Sequence, residues 1–270
     1  MTDRLLDALS HGVRVFDLGR SMSVGMPQSP NHPAFQLSMP RRHGDRIRDD
    51  GGSAANDLLV TGTHVGTHID ALGHVSHCGE LYGGVDAAAA QKEGRLASHG
   101  VDEVSPIVGR GVLLDVATTF EVPALEGGHE ITVDELEATV DRQGTQLQDG
   151  DVVLVRSGWG RHWADRDRFL GVDSGVPGVG EAGAEWLAER SLTAAGADTI
   201  AFECLRPGAG HALLPAHRVL LVERGINIIE TLDLETLAEA GAHEFVFVLS
   251  PLPLVGATGS PVRPLAVVSQ

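Results

Sequence analysis

Two hundred and seventy residues, 42% of them hydrophobic, with a mean hydropathy of +0.02, suffice for one sizeable core and lie far from disordered or collagen-like compositions. Twenty Lys and Arg against 37 Asp and Glu give a formal charge of −17, which repels a phosphate backbone and counts against nucleic acid as a partner. No apolar run approaches the roughly 20 residues that span a bilayer, and Met1 to Asp7 lacks a basic stretch followed by an apolar one, so no membrane is implied and a cytoplasmic protein is expected. Cys78 and Cys204 stand far apart without CxxC spacing, which suggests neither a disulfide framework nor a cysteine zinc site.

In chain order, β-branched runs predict strands at Val13–Leu18, Val112–Val116, Val152–Arg156, Thr199–Phe202, Ile226–Glu230 and Phe245–Leu249. Most are too apolar for one-sided exposure, which favours α/β layering with buried strands over an antiparallel sandwich. The clearest helix is Val133–Val140, opened by capping-box spacing of Thr132 and Glu135 and closed near Gly144. Further helices are predicted around Glu181–Arg190 and from about Asp233. Pro and Gly clusters at 26–33, 171–180 and 251–264 read as loops. None demands a boundary and no repeat is visible, so residues 1–270 are expected to form a single domain.

Of the 13 histidines, His11, His32, His43, His99, His129, His162 and His243 lie in apparent loops or termini and read as surface residues. The run Thr61 to His74 differs, because His64, His68, Asp70 and His74 fall at offsets 0, 4, 6 and 10. Composition alone would produce HxxxHxD about 0.05 times in such a chain. On a helix Asp70 would point about 240° away from His64, splitting the set. On extended chain the even offsets put all four on one side, with Val65, Thr67, Ile69 and Ala71 on the other. A straight strand would nevertheless separate His64 and Asp70 by some 20 Å, too far for ligands about 2.0–2.2 Å from one ion. The backbone must bend, and Gly62, Gly66 and Gly73 are the residues that permit it.

Two neutral imidazoles and a carboxylate suit Zn²⁺ or Mn²⁺ and leave room for a reactive water, the pattern of a catalytic rather than a structural site. The plainer alternative is a set of histidines satisfied by hydrogen bonds in a polar core. A second constellation comprises His211, His217 and Glu230, the last closing an apolar strand, where a carboxylate is costly to bury unless paired, protonated or metal-bound. Spacing alone leaves His217 and Glu230 open between a site role and ordinary surface positions.

The run His64 to His74 resembles the HxGTHxDxPxH signature of the metal-dependent cyclase-like hydrolases, a family that includes bacterial kynurenine formamidase and isatin hydrolase. Asp17–Leu18 with the Pro27 and Pro30 loop, Gly150–Trp159, His217–Glu230 and Gly256–Pro261 match further segments, so the likeness covers nearly the whole chain. Leu72 replaces the motif proline, which, with Gly79–Gly83, points to a branch apart from authentic kynurenine formamidase. The resemblance implies that His64, His68 and Asp70 bind a first ion and that His74 is the proton donor or acceptor. His217 and Glu230 match the family's distal pair, completing a second ion site with Asp70 bridging; His211 competes for the histidine position. It also implies the swivelling β/β/α fold, an α/β arrangement of helices around a barrel-like mixed sheet, in a homodimer or homotetramer.

The function expected is hydrolysis of an amide (a formamide or cyclic amide), lactone or ester of a small molecule, with one or two Mn²⁺ or Zn²⁺ ions activating water and His74 as general acid/base. Phe35 and Trp159 are read either as shaping the pocket or as packing. A ring-closing enzyme, isomerase or dehydratase on the same scaffold is the enzymatic alternative, and a non-catalytic metal-binding protein the other. No GxSxG serine nucleophile or Walker lysine is present.

Overall fold

The computed structural model describes Leu6 and residues 10–269, so most of the amino-terminal stretch weighed above, Met1 to Asp7, lies outside the described residues. The strands of three or more residues are β1 (Val13–Asp17), β2 (Gln36–Arg41), β3 (Asn56–Val60), β4 (His68–Asp70), β5 (Ile107–Asp115), β6 (Val152–Arg156), β7 (Ala194–Ala197), β8 (Asn227–Glu230), β9 (Glu244–Leu249), β10 (Gly259–Pro261) and β11 (Leu265–Ser269). Nine of them form one curled mixed sheet in the order β1-β11-β9-β5-β6-β7-β8-β4-β10, while β2 and β3 make a separate hairpin. β5, β6, β7 and β8 run parallel; the flanking strands pair antiparallel. The architecture is therefore the mixed α/β sheet with surrounding helices that the sequence led us to expect.

Period-two alternation explains why the central strands are covered on both faces. Val112, Leu114, Val153, Val155, Ala195 and Ile228 enter one core, together with Leu136, Leu187 and Leu220 from helices. Leu113, Val152, Leu154, Ala194 and Ile229 enter the other, with Phe16, Phe247, Leu234 and Leu237. The helices of the first face are α1 (Val133–Gln143), α2 (Glu181–Ala188) and α3 (Pro215–His217), the last continuing into a wider π-type turn over Arg218–Arg224. On the second face, α4 (Glu235–Glu239) contributes Leu237. α1 begins on the expected reciprocal cap of Thr132 and Glu135 and ends at Gly144 in the left-handed region, φ 63°. No helix among the described residues is long and apolar enough to cross a membrane.

The structure corrects several expected boundaries. Thr199–Phe202 is not a strand; the strand is the preceding Ala194–Ala197, whose small residues carry little β signal. Just beyond it, the Asp198 carboxylate accepts the Ser157 and Gly160 amides, and Phe202 takes a left-handed φ of 57°, so the chain leaves the sheet there. Val116 starts a helical turn capped by Asp115 instead of ending β5. The proline-rich stretch 251–264 contains β10, an edge strand and thus a place where proline costs no interior ladder bond.

Candidate metal centre

The parallel strands end on one edge of the sheet, where α/β proteins place their ligand sites, and Glu230 is the last residue of β8. Antiparallel β4 enters that edge between β8 and β10, setting Glu230 opposite His68 and Ile228 opposite Asp70. His68 and Asp70 thus share a face with Glu230, while Ile69 and Ile229 turn into the core behind. His64 precedes β4 in a turn and His74 follows it in another, its amide bonded to Ala71 O. His217 closes α3 and arrives from above the same face.

Only His68–Asp70 of the motif is extended. Among the three expected bending glycines, Gly66 alone adopts a left-handed φ, 70°; Gly62 and Gly73 do not. Gly259, paired with Asp70, is required by proximity, since a Cβ there would stand 2.6 Å from His64 Cε1.

His68 Nε2 lies 3.5 Å from Asp70 Oδ1 and 3.3 Å from Glu230 Oε2; His217 Nε2 lies 3.6 Å from Asp70 Oδ2 and 3.2 Å from Glu230 Oε1. Ligands about 2.0–2.2 Å from a tetrahedral ion stand about 3.3–3.6 Å from one another, so each of these four separations is that of ligand neighbours, and His68, Asp70 and Glu230 are close enough together to surround one ion, with His217 beside both carboxylates. Asp70 Oδ2 and Glu230 Oε1 are buried without a hydrogen-bond partner, a costly arrangement that a cation would relieve. The fit to a divalent ion therefore rests on donor chemistry, spacing and two orphaned oxygens.

His64 is placed differently. Its Nδ1 hydrogen-bonds Asp70 Oδ1 at 2.6 Å, its Nε2 meets the Thr258 hydroxyl at 2.8 Å, and its ring stacks on His74 with centroids 3.9 Å apart. His64, Asp70 and His74 nonetheless form a second group close enough to surround an ion. The His74 side chain has no hydrogen bond among the described residues and lines a cavity of about 210 Å³ with Ser29, Asn31, His32, Ile200 and His211.

Burial opposes charge on every group here, and neighbours decide the outcome. For His68, the Glu230 and Asp70 carboxylates outweigh burial and carry the pKa up to about 9. His217 is likewise held well above the imidazole range by Asp70, Glu203 and Glu230. Asp70 is held well below the usual carboxylate range despite burial, chiefly by His74 and His64, and Glu230 below it by His217 and His68. Burial wins at His74, pushed down to about 4, and lowers His32 and His211 beside it, so the His74 ring is neutral near neutral pH.

All six residues singled out by sequence, His64, His68, Asp70, His74, His217 and Glu230, thus meet in one place. His211 stands at the cavity wall, while His217 reaches both carboxylates. His32, read as a surface residue, stacks on His64 with centroids 5.3 Å apart. Phe35 packs with Met26 and Val65, and Trp159 packs beside Phe169 with its indole N–H on Phe169 O; neither lines the cavity. Glu203 was not foreseen: 1% exposed, it accepts the His217 Nδ1 proton at 2.6 Å. Phe202 and Thr231, next to Glu203 and Glu230, hold positive φ of 57° and 59°, strain of about 1–3 kcal/mol each that is common at functional sites.

A sequence profile of the family described as "Putative cyclase" matches residues 9–204. The isatin hydrolase of Roseibium aggregatum is 24% identical over 266 residues, 96% of this chain and 94% of that protein. A solved structure described as a novel cyclase superposes with a TM-score of 0.84 at 29% identity, covering 98% of this chain and 93% of the other. Isatin hydrolase A from Ralstonia solanacearum gives a TM-score of 0.76 at 25% identity, with 98% and 96% covered.

Proposed function

The chain belongs to the Putative cyclase family, and from that premise we propose that it is a metal-dependent hydrolase of small molecules, opening an amide (a formamide or cyclic amide), a lactone or an ester. The observation that carries this reading is the meeting of four imidazoles with two carboxylates, two of whose oxygens make no hydrogen bond, at the wall of a small cavity. We assign His68, Asp70, His217 and Glu230, with His64 on the other side of Asp70, to hold one or two divalent ions of the Zn²⁺ or Mn²⁺ type. When bound, such an ion lowers the pKa of a water towards neutrality and offers positive charge to a developing oxyanion.

The side chains do the remaining work. Gly66 O accepts the His68 Nδ1 proton at 2.8 Å and Glu203 that of His217, so both rings turn Nε2 towards the carboxylates, where loss of the Nε2 proton would free a lone pair for an ion. His74, whose ring faces the cavity without a hydrogen bond of its own, is the group placed to pass a proton from the attacking water to the leaving nitrogen or oxygen. Ile200 and Leu214 give the cavity an apolar wall against which a small ring or acyl group can lie. That the relatives include isatin hydrolases, which act on a neutral cyclic amide, supports placing lactams first among the substrates.

The test is a screen of Mn²⁺- and Zn²⁺-loaded protein against formamides, cyclic amides, lactones and aryl esters, with product mass as the readout. A gain of one water supports hydrolysis; turnover at unchanged mass assigns the scaffold to isomerisation instead.

A further inference from the structure

The imidazoles of the centre differ in what stands behind them. His68 is backed by a neutral carbonyl, Gly66 O, and His64 meets a neutral hydroxyl, that of Thr258. Behind His217 there is an anion. Glu203 Oε1 accepts the ring Nδ1–H at 2.6 Å and the His217 amide at 3.1 Å, while Oε2 accepts the Ala216 amide at 3.1 Å. Glu203 is 1% exposed, and among the described residues no Lys or Arg pairs with it; His217 is its ion-pair partner. A carboxylate buried this deeply requires compensation, and here two backbone amides and the His217 imidazole supply it.

The segment that carries Glu203 is built to hold it still. Phe202 is left-handed, Glu203 bridges to Val179, and Gly178 packs so tightly on the Glu203 backbone that a Cβ would meet its carbonyl carbon at 2.3 Å. Oxygen positions are thereby fixed from both the strand side and the α3 side.

We propose that Glu203 is the positioning residue of the metal centre: it sets the His217 tautomer, aims Nε2 between Asp70 and Glu230, and strengthens cation binding by placing negative charge behind the ring. This rests on the reading that the cluster holds a divalent ion. It concerns a residue outside the coordination shell, from a segment remote in sequence from the motif.

The experiment is competition of the metal-stripped protein against a chromophoric chelator for Zn²⁺, with wild type, Glu203→Gln, Glu203→Asp, His217→Ala and the Glu203→Gln/His217→Ala double variant. Glu203→Gln keeps the volume but removes the charge, and a loss of about 10–100-fold in affinity is expected. Glu203→Asp keeps the charge but shortens the reach, and an intermediate loss of about 3–10-fold is expected. In the His217→Ala background the Gln substitution should change affinity by less than about twofold, because its effect passes through the ring. Wild-type affinity in Glu203→Gln overturns the proposal, as does an equal loss with and without His217, which marks a general effect on folding. Should Glu203→Gln not fold, as judged by thermal unfolding of the stripped protein, wild-type affinity in Glu203→Asp overturns it equally. Absence of Zn²⁺ binding by the wild type removes the metal reading itself, a result distinct from any difference among the variants.

Discussion

The centre has two unlike halves that share Asp70. On one side His68, His217 and Glu230 stand 3.2–3.6 Å from their neighbours, each ring fixed by a second partner and with two carboxylate oxygens left open. On the other, His64 is engaged directly with Asp70, and His74 is stacked, unbonded and facing the cavity. In the first half His68, Asp70 and Glu230 are close enough together to surround an ion. The second would have to give up a hydrogen bond to take an ion, and it faces the cavity. On the proposed function, rigid ion binding and adjustable chemistry would be divided across a single carboxylate.

The largest effect is expected where the halves meet. Asp70→Asn should abolish stoichiometric metal by elemental analysis and lower turnover by at least about 10³-fold, the scale at which electrostatic stabilisation and proton transfer are lost together. Full metal retention would remove Asp70 from both halves. Next, His74→Ala should keep its metal and lose about 10²–10³-fold in kcat, separating chemistry from binding. Metal loss in that variant would merge His74 with the ligands.

A third comparison sets His68→Ala against His64→Ala in the chelator assay. Removing His68 should weaken affinity by more than the roughly 10–100-fold typical of an outer partner, and removing His64 by about tenfold. Equal losses would dissolve the distinction between the halves.

The pH dependence has opposite signs with and without metal. In the metal-free protein, the His68 pKa stands at about 9 against an ordinary 6.5, so its contribution to stability is complete below pH 6.5 and is lost as pH rises through 9. A bound ion needs the imidazole deprotonated, so its stabilisation grows over that same interval. Thermal unfolding across this range should show the stripped protein losing stability and the metal-induced increment in Tm rising; parallel trends would contradict the proton-for-cation exchange. The smallest effect is expected from Gly259→Ala, whose Cβ would press on His64 Cε1 and on Ile69 O at 2.8 Å. A loss of about 1–3 kcal/mol in denaturant unfolding should result, with His68-side affinity unchanged.

Much of this was legible in the sequence because the signals were periodic. The unbroken apolar run within Val152–Arg156 and the cap at Thr132 each express a local rule that the fold obeys, and the even offset of His68 and Asp70 does so within β4, while His64 and His74 lie in turns on either side. What escaped had no period. His32 lies in a proline-rich turn and reaches the site only because that turn folds over His64. Ala194–Ala197 forms a central strand by tertiary fit, against its propensity. Glu203 could have been found, since it interrupts the apolar run Ile200–Leu205 just as Glu230 closes Asn227–Glu230, and the same cost of burying a lone carboxylate applies to both.

β4 sits between β8 and β10, strands that follow it in the chain by more than 150 residues. Its motif is therefore synthesised early but acquires Glu230 and the Gly259 edge only after the last third of the chain has emerged. Such distant pairing is slow to form, because the whole intervening loop must close before any contact rewards it. The complete cluster is consequently a late event in the protein's life, and metal capture, on the proposed function, would report on a finished fold: a chain arrested before Asn227 would carry the whole histidine motif and still lack the pocket that the motif completes.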